Sequence, residues 1–133
     1  MIFVETNYFL RFLVRDVEEQ YQEVRKLFER GIAKEKKLFT SLIVLFEIYW
    51  VLSSFYKEDK REIAKKLAEI LKVKFISFNE RDLLLKALEV YKTSNLRLED
   101  SYNLVFAKAK KASDFASFDK VLVKKFKQKK TGQ

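Results

Sequence analysis

Apolar positions along the chain recur with two different periods. Ile2-Phe3-Val4 is a short apolar run that predicts a small buried strand, and residues 6–14 then read as helix. Val17, Tyr21, Val24, Leu27, Phe28 and Ile32 recur at three- and four-residue steps, a helical stripe expected to close near Gly31. Leu38-Phe39-Thr40 is a second, weakly marked strand leading into the most apolar segment, 41–56, where Ser41 can cap a helix. Ile63, Leu67, Ile70 and Leu71 mark the next amphipathic helix, and Val73-Lys74-Phe75-Ile76-Ser77 a third strand. Asn79 with Asp82 three residues on signals a helix start, with Leu84, Leu88 and Tyr91 as its apolar face. A further helix runs over about 100–112 on Tyr102, Val105, Phe106 and Ala109. Phe115-Ala116-Ser117-Phe118 predicts a fourth strand, and a last helix turns Leu122 and Phe126 inward. Strands separated by helical segments predict an α/β domain around a mainly parallel sheet. No Pro-rich linker, low-complexity run or repeat breaks the chain, so one domain is expected over residues 1–128, with a basic tail at 129–133.

Glu47 changes the picture most. It lies in the segment 41–56, whose only other ionisable groups are the weakly acidic Tyr49 and Tyr56. A helix apolar on all sides reads as buried. A carboxylate there loses hydration at a cost of several kcal/mol unless something compensates, roughly the effective desolvation penalty of a buried ion. No Lys or Arg lies between Lys37 and Lys57, so the partner must come from elsewhere: a distant basic residue, a proton or a metal ion.

Composition narrows the chemistry. The chain has no His and no Cys, which excludes Ser-His-Asp and Cys-His machinery and the usual zinc ligand sets. Two glycines, Gly31 and Gly132, exclude a P-loop and a GxGxxG turn. What remains is carboxylates, hydroxyls, amides, Lys and Arg, an inventory suited to Mg2+ or Mn2+ on oxygen ligands. The apolar segment is too short to cross a bilayer, and the N-terminus lacks the features of a signal peptide. No membrane association is expected, and the absence of Cys points to a cytoplasmic setting. Charge is uneven: residues 108–133 hold nine Lys against two Asp, +7 of the net +9. Such a segment suits a polyanionic partner such as nucleic acid, or is a solvated helix face.

Two acids follow strands directly, Glu5 after the first and Asp119 after the fourth. In an open parallel sheet the ligand crevice lies beyond the carboxyl ends of the strands, so both side chains can converge there. Each also begins a helix, as Glu99 and Asp100 do, and an acid at a helix start is often only a cap. Capping and function both stay open for Glu5, Asp100 and Asp119; for Glu47 in mid-helix the bland reading is a buried ion pair. The other Asp and most Glu look like solvated charge, and Asp114 like a turn residue.

The opening Met1-Ile2-Phe3-Val4-Glu5-Thr6-Asn7 resembles that of PIN-domain proteins, in which a hydrophobic strand runs into an acid-Thr-Asn motif. Three further likenesses follow in order: the apolar helix with Glu47, the stretch Leu96-Arg97-Leu98-Glu99-Asp100-Ser101, and Phe115-Ala116-Ser117-Phe118-Asp119-Lys120. The likeness covers nearly the whole chain, whose length is similar to that of VapC-like toxins of toxin–antitoxin pairs. It implies a three-layer α/β/α sandwich around a parallel sheet of four strands, with a fifth left open because the chain ends without the usual apolar strand. It implies a Mg2+- or Mn2+-dependent endoribonuclease whose metal-holding, catalytic quartet is Glu5, Glu47, Asp100 and Asp119, supported by Asn7 and Ser117. It also implies RNA as substrate (tRNA, rRNA or mRNA), a homodimer and a cognate antitoxin. The first acid is Glu5 where the family usually has Asp, which keeps a second expectation in play: a weakened PIN-like module that binds RNA or protein without cutting.

Overall fold

The computed structural model describes residues 1–128, and these divide into two compact units, residues 1–81 and residues 82–128. The basic tail at 129–133 and any fifth strand within it lie outside the described residues.

The first unit is built on three short parallel strands, β1 (Ile2–Phe3), β2 (Leu38–Thr40) and β3 (Ile76–Phe78), in the order β1-β2-β3. Ile2 pairs with Leu38 and Leu38 with Ile76, so β2 is central and its Leu38 is buried. Parallel neighbours need crossovers, supplied here by α1 (Thr6–Val14) with α2 (Glu18–Ile32), and by α3 (Leu42–Ser54) with α4 (Lys60–Lys72). α1 packs on α2 and α3, and α3 on α4. The buried face of α2 is Val24, Phe28 and Gly31, at four- and three-residue steps. Phe9 and Phe28 meet with ring centroids 6.0 Å apart, and Phe28 meets Phe75 edge-on at 5.5 Å. The Arg81 guanidinium donates to the carbonyls of Leu71, Val73 and Ile76, tying the end of α4 to β3 and satisfying groups the helix leaves open.

Gly31 does not close α2. The helix continues to Ile32, and a Cβ on Gly31 would stand 2.8 Å from Leu38 Cδ1 and 3.1 Å from Phe75 Cδ2. The glycine is there because β2 and the residues before β3 come too close for a side chain. The left-handed turn after the helix falls on Lys34, with φ 62°.

The second unit holds α5 (Arg81–Lys92, which begins on the last residue of the first unit), α6 (Leu98–Ala109) and α7 (Lys120–Lys127). Its centre is Leu96, Leu104 and Leu122, with Val90, Phe115 and Phe126 packed against them. The expected fourth strand is corrected here: among the described residues, 115–118 pair with no strand. Phe115 instead turns into the leucine cluster and meets Phe126 at 5.4 Å, while Phe118 is fully exposed. Fold class is therefore α/β, with seven helices and a three-stranded parallel sheet among the described residues. None of these helices is long and apolar enough to cross a membrane.

Candidate active site

Glu5 stands just past β1, at the carboxyl edge of the sheet, where open α/β sheets carry their ligand crevices. The sheet fixes its backbone. Val4 N–H donates to the Phe39 carbonyl at 2.8 Å, and the buried Thr40 hydroxyl donates to the Val4 carbonyl at 2.7 Å. Glu5 occupies the N-cap of α1 with extended backbone, yet its side chain makes no cap hydrogen bond. Asp, one methylene shorter, is a favoured N-cap; Glu is not. The exposed carboxylate is thus unused by the helix it begins. Beside it, Thr6 is buried with Oγ1 lacking a hydrogen-bond partner, and Asn7 is exposed in the first turn.

Glu47 corrects the expectation drawn from its apolar surroundings. α3 buries Val44, Leu45, Ile48, Tyr49 and Leu52, but Ile43 (68% exposed), Glu47 and Trp50 (63%) form an exposed strip at i, i+4 and i+7. Apolar composition on every side does not here mean burial on every side. The side chain is exposed, so no buried ion pair is needed to hold it. Among the described residues no salt bridge reaches it. Ser41 caps this helix as expected, accepting from Val44 N–H at 3.4 Å.

In the second unit Asp100 lies in the first turn of α6 with its side chain 18% exposed. Arg97 Nε is 3.5 Å away on a side chain 70% exposed, a solvated pair that holds the carboxylate weakly. Glu99 in the same turn has Oε1 buried with no hydrogen-bond partner. Asp119 is the N-cap of α7: its Oδ1 accepts from Val121 N–H at 3.0 Å and Leu122 N–H at 3.2 Å. Ser117 Oγ in turn accepts from Asp119 N–H at 3.0 Å. The capping reading of Asp119 is therefore realised, through one oxygen, and Ser117 fixes the turn that presents it.

Of the four acids, Glu5 and Glu47 belong to the first unit, Asp100 and Asp119 to the second. Among the described residues no three His, Cys, Asp or Glu side chains are grouped to hold a metal ion. The donors themselves, carboxylate with hydroxyl and amide oxygen and neither imidazole nor thiol, have the chemistry of a Mg2+ or Mn2+ site. Thr6 and Glu99 add oxygens that are buried without a partner, the kind of atom that calls for an ion, a water or a donor. Sequence reasoning gave no role to Thr6, Thr40 or Glu99. The acid-Thr-Asn motif was a signal for Thr6, and the end of the second strand for Thr40; Glu99 carried none beyond its place beside Asp100.

A family model of the PIN domain matches residues 2–127. No curated protein and no solved structure matches the chain. PIN domains are typically metal-dependent nucleases and generally bind RNA. The matched range runs through both units and contains Glu5, Glu47, Asp100 and Asp119, with Asn7 and Ser117. The chain belongs to the PIN-domain family.

Proposed function

We propose that the protein is a divalent-metal-dependent endoribonuclease, the toxin of a toxin–antitoxin pair, with Glu5, Glu47, Asp100 and Asp119 as the acids that hold Mg2+ or Mn2+. Glu5 carries the reading: a carboxylate at the carboxyl edge of a parallel sheet, in a cap position, that does not cap. A bound ion would lower the pKa of water beside it and offset charge on the phosphodiester. The chain's own part is to hold the acids. Thr40 pins the backbone before Glu5, Ser117 pins that of Asp119, and the Asp119 cap leaves Oδ2 clear of the helix amides. Asn7 is assigned a supporting place beside Glu5.

The α/β/α sandwich, the cytoplasmic setting, the homodimer and the antitoxin belong to the same reading. Two apolar surfaces of the first unit support protein partners. One is the strip of Ile43 and Trp50 on α3; the other is a pocket of about 480 Å³ lined by Phe9, Phe12, Phe28, Ile32 and Phe75. Two observations favour the weaker alternative, a PIN-like binder without cleavage: Asp100 is already paired with Arg97, and one oxygen of Asp119 is committed to its cap. Incubating total tRNA and rRNA with the protein in Mn2+ and in EDTA separates the two. Cleavage in Mn2+ that disappears in EDTA and in Asp100→Asn is expected; equal cutting by Asp100→Asn would remove its catalytic role.

A further inference from the structure

The turn between Phe115 and α7 exposes a whole aromatic ring beside Asp119. Phe118 is fully exposed, although Phe115, three residues earlier, and Phe126 both pack against the leucine cluster of the same unit. The ring is not outside for want of an apolar interior nearby. Its neighbours on both sides are held, Ser117 Oγ by the Asp119 amide and the Asp119 carboxylate by the first turn of α7, so the ring sits on a closed turn. Directly beyond it, Lys120, Lys124 and Lys127 follow at i, i+4 and i+7 on one helix face. With Ser117, Val123 and Gln128 they line a concave surface of about 560 Å³. No carboxylate pairs with any of the three lysines among the described residues.

We propose that Phe118 and the Lys120, Lys124 and Lys127 face of α7 form a grip for single-stranded RNA, the ring stacking on an unpaired base and the ammonium groups holding the phosphates that follow. The proposal deepens the nuclease reading and rests on it for the identity of the ligand. Charge complementarity selects the polyanion, and the exposed ring selects unpaired nucleotides, because a duplex hides its base faces. Asp119, between ring and lysines, then lies next to the held strand.

Binding is measured separately from cleavage, using Asp100→Asn protein in EDTA, a labelled 10-nucleotide RNA and a blunt duplex of that RNA with its complement. Phe118→Ala is expected to weaken single-strand binding about tenfold, the scale of one lost stacked base. Phe118→Trp is expected to restore it, with duplex binding unmoved throughout. Lys124→Gln is expected to reduce the slope of log affinity against log salt by about 0.7, one phosphate contact on a single strand. The grip is overturned if Phe118→Ala leaves single-strand binding within twofold, weakens duplex binding equally, or impairs only the capture of a protein partner. A protein that binds in this pattern but never cuts in Mn2+ keeps the grip and loses the nuclease.

Discussion

At the scale of single residues, Glu5 is a poor choice for the helix it begins. An N-cap Asp would accept from the amides of the first turn, whereas Glu5 leaves them without that partner. Glu5→Asp is therefore expected to raise stability by about 0.5–1 kcal/mol through a new cap bond. It is also expected to raise Mn2+-dependent cleavage, since Asp is what the family usually carries there. Thermal melting and initial rates read the two effects independently. A stability gain with a roughly tenfold loss of rate would mean that the site is tuned to the longer acid. Glu47 shows what residue-level reading misses. Its isolation among apolar neighbours was visible in the sequence, but the direction of its side chain was not. Only the packing of Ile48, Leu45 and Leu52 inward decides that Ile43, Glu47 and Trp50 face out.

At the scale of elements, the sequence located the seven helices and three strands of the described residues, most of the helices through an apolar stripe at three- and four-residue steps and α3 through its apolar run after a Ser cap. It failed where pairing is the deciding fact. Leu38-Phe39-Thr40 and Phe115-Ala116-Ser117-Phe118 look alike as strings; the first has strands on both sides, and the second has the Leu96, Leu104 and Leu122 cluster beneath Phe115. Helix ends were also hard to read, since the left-handed positions fall on Arg15, Lys34, Lys57 and Lys111 and carry no glycine signal. The one mid-chain glycine has a packing role instead. Gly31→Ala should gain helix propensity of about 1 kcal/mol but lose more to the clash with Leu38 and Phe75, for a net destabilisation of about 1 kcal/mol in urea unfolding. No loss, or a gain, would show that Leu38 can yield. The α1–α2 junction predicts an acid-sensitive step. The Tyr56 hydroxyl, at 2.9 Å, and Arg11 hold the Asp16 carboxyl below its usual range, and Arg15 with Gln22 holds Glu18 at about 2. Both acids bind protons more readily in the unfolded chain, so their stabilisation is complete only above about pH 5 and is lost as pH falls toward 2. Glu18→Gln should flatten the fall of the urea midpoint between about pH 5 and pH 2; an unchanged slope would show that the bond to Arg15 is not populated in solution.

At the scale of the whole molecule, the family match over residues 2–127 joins what the two units hold separately. Each supplies two of the four acids, and each fixes one of them by backbone hydrogen bonding: Glu5 through Val4 and Thr40, Asp119 through Ser117. The order of the acids along the chain was legible early, since Glu5 and Asp119 adjoin recognisable elements and the absence of His and Cys left only oxygen ligands. A meeting of the four acids, as proposed, is not legible in a sequence, because it would depend on packing between residues up to 114 positions apart. Binding of Mn2+ tests the proposed meeting directly. An ion held at a hundredfold excess over its dissociation constant stabilises the folded state by about 2.7 kcal/mol, a shift of several degrees in melting temperature. The decisive measurement is the Mn2+-induced rise in melting temperature of the full chain beside Glu5→Gln, Glu47→Gln, Asp100→Asn and Asp119→Asn. A rise is expected in the parent and is largely abolished by each of the four single changes. A rise that survives all four, or that depends on the acids of one unit only, would rule out a metal site shared by the four acids.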